Sequence, residues 1–122
     1  MLKEEIVEKF NTILYDTTVE LQHHIGTHYV MILKGIQFMF PRFGLEVFQE
    51  KMMKYKEHIL TRNEEYFLNE VDIEEEVGDK YRQYLGDILN FKKIFPNLDN
   101  DSKENLWDIL QALMILCEKY HS

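Results

Sequence analysis

Apolar residues recur three and four positions apart along most of this chain, a spacing that stacks side chains on one face of an α-helix and obliges that face to be buried. Tyr81, Tyr84, Ile88 and Phe91 form one such seam, and the pattern returns in several other stretches. It predicts an all-α protein, a compact bundle of about five or six helices. At 122 residues the chain has room for one core, so residues 1–122 read as a single helical domain.

The first helix runs from about Lys3 to Ile25 on a seam of Ile6, Phe10, Ile13, Thr17 and Leu21, widened by Val7 and Leu14. Gly26 and Thr27 interrupt it, because glycine costs a helix interior ~1 kcal/mol and threonine can cap the next helix. A second helix over His28–Phe40 carries apolar residues on nearly every side. That is the pattern of a helix contacted by several neighbours, so it is predicted to be the most enclosed element. Pro41 ends it by pushing the preceding residue out of the α region.

A third helix restarts at Phe43, with Leu45, Phe48, Met52, Tyr55 and Ile59 on its seam. Thr61 and Glu64 have capping-box spacing ahead of a short helix bearing Tyr66, Phe67 and Leu68. From Asn69 to Asp79 the chain turns acidic, and with few apolar anchors this stretch is predicted to be a mobile loop outside the bundle. Val77, Tyr81, Tyr84, Ile88, Phe91 and Phe95 trace the next helix up to Pro96. Asp101, three residues ahead of Glu104, is the predicted cap of a last helix that buries Leu106, Ile109, Leu110, Leu113, Leu116, Cys117 and Tyr120.

Charge narrows the range of partners. A formal net charge of −8, from 22 acidic against 14 basic residues, repels phosphate backbones and argues against nucleic acid. An acidic surface suits a basic protein partner, and otherwise serves solubility. Glu74, Glu75 and Glu76 concentrate like charge and are the candidate partner-binding residues. The most apolar stretch, Tyr29 to Phe40, is broken by Lys34 and Gln37 and falls short of the ~18–20 residues a membrane span requires, so no membrane partner is expected. The opening Met1-Leu2-Lys3-Glu4-Glu5 lacks the basic-then-apolar order of a signal peptide. Cys117 is the only cysteine, reads as a buried small hydrophobe, and fits a reducing intracellular setting.

Candidate chemistry is sparse. Glu20 with His23, and Glu118 with His121, repeat the glutamate-to-histidine spacing by which helical bundles clasp two iron ions. Helix phase turns His23 about 135° away from the apolar seam, towards water, and His121 sits at a fraying end. His24 and His28 are better aligned and could hold zinc if the helix continued through Gly26, with Glu57 or His58 as a further ligand. Partly buried structural histidines are the simpler reading, and no metal or cofactor is assigned. Tyr15, Asp16, Thr17 and Thr18 place hydroxyls nearby without the nucleophile–base pairing that hydrolysis needs, so no catalytic residue is assigned. Phe38, Met39, Phe40, Met52 and Met53 read as core, with a peptide-binding groove or oligomerisation as alternatives.

Two stretches, Tyr55 to Leu68 and Lys103 to Leu113, carry a resemblance. With their lysine- and isoleucine-bearing helix, acidic pair, aromatic pair and tryptophan-bearing final helix, they resemble small uncharacterised helical proteins of the nucleocytoplasmic large DNA viruses. The resemblance implies a viral protein working in the infected cell or carried in the virion, and brings no catalytic residues. The expected function is therefore non-enzymatic: binding a viral or host protein through a helical face and the acidic surface. Two alternatives are an acidic, immunity-like inhibitor occupying a basic enzyme groove, and a metal-dependent enzyme using His24 and His28.

Overall fold

The computed structural model describes residues 2–69 and 80–122, and of Lys80, Tyr81, Phe91 and Lys92 the backbone alone. Among the described residues there are helices and no strands. The α-helices are α1 (Lys3–Ile25), α2 (His28–Met39), α3 (Phe43–Met52), α4 (Lys56–Leu60), α5 (Glu64–Asn69), α6 (Lys80–Ile88), α7 (Phe91–Ile94) and α8 (Asn100–His121). A single 3-10 turn, Met53–Tyr55, joins α3 to α4, and α7 follows α6 after a brief break, so the elements group into six helical units of an all-α bundle.

Helix α1 is the structural spine, packing along α8 on one side and α2 on another. Its buried face comprises Ile6, Val7, Phe10, Leu14, Thr17, Thr18 and Leu21. Thr18 is fully buried at no hydrogen-bonding cost, because its hydroxyl donates to the Leu14 carbonyl at 2.8 Å. Phe10 meets Phe48 edge-on at 5.6 Å, and Gly44 brings α3 close to α1, where a Cβ would stand 3.3 Å from the Leu14 side chain. At the other end of the core Trp107 stacks on Phe95 at 4.8 Å and meets Phe67 edge-on at 5.6 Å, tying α8 to α5 and to the Phe95–Asn97 turn.

The helix ends follow local chemistry with two departures from the sequence expectation. Helix α8 is capped by Asp99, whose Oδ1 accepts from the Ser102 amide at 2.7 Å, and not by Asp101. Extended backbone at Leu98 and Asp99 starts the helix earlier and leaves Asp101 in its first turn, where a carboxylate still favours the helix dipole. Helix α5 is capped by Asn63, whose Oδ1 accepts from the Tyr66 amide at 3.1 Å. Thr61 instead donates to the Glu57 carbonyl at 2.9 Å, because it still belongs to the end of α4. Arg62 adopts left-handed backbone (φ 52°) between them, and its guanidinium grips Glu104 at 2.6 Å together with Asp108, fastening this corner to α8.

The helix expected to run unbroken to Pro96 is interrupted at Leu89 and Asn90. Its core contribution comes from Leu85, Ile88, Leu89, Ile94 and Phe95. Tyr84 is half-buried against Tyr29, while Val77 and the side chains of Tyr81 and Phe91 lie outside the described residues, as does the predicted acidic loop from Glu70 to Asp79. No described helix is long and apolar enough to cross a membrane.

Candidate functional site

Helix α2 has two apolar faces, and the bundle covers one. On the inner face Tyr29, Leu33, Ile36 and Gln37 follow helical spacing. The Tyr29 hydroxyl donates to Asp87 on α6 at 2.7 Å, Leu33 and Ile36 are buried, and the Gln37 amide donates to the Asn11 carbonyl of α1 at 3.0 Å. Burial, followed by the bond to Asp87, pushes the Tyr29 hydroxyl up to about 12, so it stays a neutral donor at physiological pH. The Asn11 amide donates to the Pro41 carbonyl at 2.8 Å and anchors the corner after α2. These bonds fix the rotation of α2 about its own axis.

That rotation aims Met31, Gly35, Phe38 and Met39, which repeat the same spacing two residues on, at solvent. Phe38 is 88% exposed and Met31 80%, with Met39 and Phe40 each about half exposed. A methyl group added at Gly35 would meet no side chain and no other element within 4 Å, so the middle of this face is open space. The prediction that His28–Phe40 is the most enclosed helix is therefore wrong, as is the core assignment of Phe38, Met39 and Phe40. Among the described residues, the bundle covers α2's inner half and leaves Met31 and Phe38 largely exposed. Met52 is buried and Met53 partly buried, as expected.

A groove of about 920 Å³ runs beside this face along α1, from Lys3 to Asp16, with Lys34, Gln37 and the Pro41–Arg42 corner on one wall and Tyr120 of α8 on another. Arg42 and Tyr120 both line it, and Lys3 Nζ lies 5.1 Å above the Tyr120 ring. Glu4, Glu8 and Asp16 make the α1 side of the groove acidic. By contrast, between Glu20 and Glu46 the chain has no acidic residue at all, although acids outnumber bases 22 to 14 overall. An acid-free, cation-bearing apolar helix on an acidic protein is the sequence signal that hydrophobic periodicity alone overlooks.

The residues singled out for chemistry are dispersed. Gly26 at φ 116° ends α1, so His24 and His28 stand on different helices and lose the alignment that zinc would need. His28 packs on Tyr29 at 4.3 Å, and His24 borders a small cavity with Tyr29, Asp87 and Asn90. His58 lies flat on Tyr66 at 3.5 Å on α4, with Glu57 exposed beside it. His23 is exposed, Glu118 pairs with Lys56 at 2.7 Å, and His121 is exposed at the end of α8. Among the described residues no three His, Cys, Asp or Glu side chains converge as a metal site.

Tyr15 and Asp16 border the groove, while Thr17 donates to the Ile13 carbonyl at 2.7 Å and Thr18 to the Leu14 carbonyl, one turn back in each case. Cys117 is fully buried, with Sγ 3.0 Å from Gln49 Oε1. Burial, with Glu118 adding to it, pushes the thiol up to about 11, which makes it a packing residue. Glu74, Glu75 and Glu76 lie outside the described residues. Comparison of the chain with protein-family models, with curated proteins and with solved structures finds no match.

Proposed function

We propose that this is a non-enzymatic interaction protein that binds a protein partner through the outer face of α2, and, on its resemblance to helical proteins of large DNA viruses, one that serves such a virus by engaging a viral or host protein. One observation carries the reading: a 12-residue helix with apolar residues on nearly every side has, among the described residues, only half its circumference covered. Apolar helices of that kind are buried in a finished assembly, and contiguous exposed aromatic and methionine side chains mark protein contacts. Glu74, Glu75 and Glu76 add attraction towards a basic partner at the encounter stage.

The test is affinity capture from the native source with tagged wild type and Phe38→Glu. The variant places a carboxylate where it disturbs no internal packing, so it should fold normally and lose the specific partner by at least about tenfold, as expected for a central aromatic anchor. Equal recovery of every partner by the two proteins would remove α2 from the mechanism.

A further inference from the structure

We propose that the occupant of the α2 face is a second copy of this chain, the two α2 helices packing antiparallel about a twofold axis with Phe38 of each seated over Gly35 of the other. This rests on the reading of α2 as the interaction surface and names its partner. The first argument is self-complementarity. Phe38 is the most exposed large apolar side chain among the described residues, and three residues away on the same face Gly35 leaves open space where a side chain would stand. A knob and a hole on one helix cannot fill each other, but a twofold axis between them satisfies both at once, which is the defining property of an isologous contact. Met31 and Met39, flanking this pair, supply pliable surface that adjusts to the crossing.

The second argument is charge. Copies of a chain carrying −8 repel wherever carboxylates face carboxylates, and α2 is the longest described helix that carries none. Lys34 and Arg42 border the same groove as Glu8 and Asp16. A twofold axis perpendicular to α2 keeps that groove on the same side of both copies, so its walls can extend the contact. The contact helix is about 18 Å long. A standard-size interface of roughly 1,200 Å² is reached only when the groove walls join the helix pair, so association should be concentration-dependent rather than obligate.

Analytical ultracentrifugation of the full chain over a range from about 1 µM to a few hundred µM tests this. The expected result is a shift from the 14.8 kDa monomer towards twice that mass. Gly35→Leu should abolish the shift, because a side chain would then stand where Phe38 of the other copy sits. Phe38→Glu should do the same by removing the knob. At the lowest concentration Phe38→Glu should retain the wild-type melting temperature, and Gly35→Leu should match or exceed it, because it removes a helix-interior glycine. Mixing Gly35→Cys with Phe38→Cys under mild oxidation should give a cross-linked heterodimer in preference to either homodimer, with the buried Cys117 taking no part. A chain that stays monomeric throughout, a dimer indifferent to both variants, or co-sedimentation with phosphatidylserine vesicles in place of self-association would each overturn the proposal. Monomeric behaviour combined with partner capture that Phe38→Glu abolishes would overturn the dimer alone and leave α2 as a surface for a different protein.

Discussion

Glycine shows how one residue type does opposite work at two positions. At Gly26 the backbone sits at φ 116°, and an added Cβ would approach His28 Cε1 to 2.8 Å, so the residue is required for the sharp exit from α1. Gly35 lies inside α2 with nothing near it, where glycine costs helix stability without serving the monomer's packing. Gly26→Ala should therefore lower stability by ~1–2 kcal/mol, whereas Gly35→Ala should raise it by up to ~1 kcal/mol. Chemical denaturation of the two variants against wild type, at a concentration where the chain is monomeric, measures both. Stabilisation by Gly26→Ala, or a loss at Gly35→Ala, would contradict these opposite roles at the α1–α2 corner and within α2. The histidines belong to the same scale: their spacing was legible in the sequence, but Gly26 separated them by turning the chain.

Among the elements, α8 is the one whose start depends most visibly on a titratable group. The Asp99 carboxylate is held below the usual carboxylate range, first by its hydrogen bond from the Ser102 backbone amide. A carboxyl whose folded-state pKa is depressed contributes stability above its unfolded value of about 3.9 and loses it as pH falls through the folded-state value. Asn caps a helix comparably but carries no charge. Wild type should therefore exceed Asp99→Asn in stability at pH 7, and the margin should close as pH falls from about 5 towards 2. Urea midpoints of the pair across that range provide the check, and a margin that does not change would separate the cap from the charge. The identity of this cap is not legible in the sequence because Asp99, Asn100 and Asp101 all have side chains suited to capping, and only the backbone decides which of them stands where the first free amides point. The same ambiguity set Thr61 against Asn63 at α5.

For the whole molecule, the buried apolar residues of α1, α3, α6 and α8 join in one cluster that includes Leu113, 2% exposed. Leu113→Ala should cost ~2–5 kcal/mol through lost transfer energy and a residual cavity. Because the cluster is shared, the loss should appear as a lower midpoint of the whole unfolding transition, followed by far-UV and tryptophan signals together; an unchanged midpoint would place α8 outside the cooperative core. The sequence by itself determined the all-α class, the limits of α1, the stop at Pro41 and the burial of Leu106, Leu110, Leu113, Leu116 and Cys117 on α8, where Ile109 and Tyr120 of the same predicted seam are only partly buried, because helical periodicity and proline geometry act over a few neighbouring residues. Tertiary structure alone decided which apolar side of α2 faces inward. An apolar residue reads the same in sequence whether its neighbour lies within the chain or in another molecule, and the bonds from Tyr29 to Asp87, from Gln37 to Asn11 and from Asn11 to Pro41 span long separations that no local pattern encodes. Those bonds turn Phe38 outward, and with it the surface on which function is proposed.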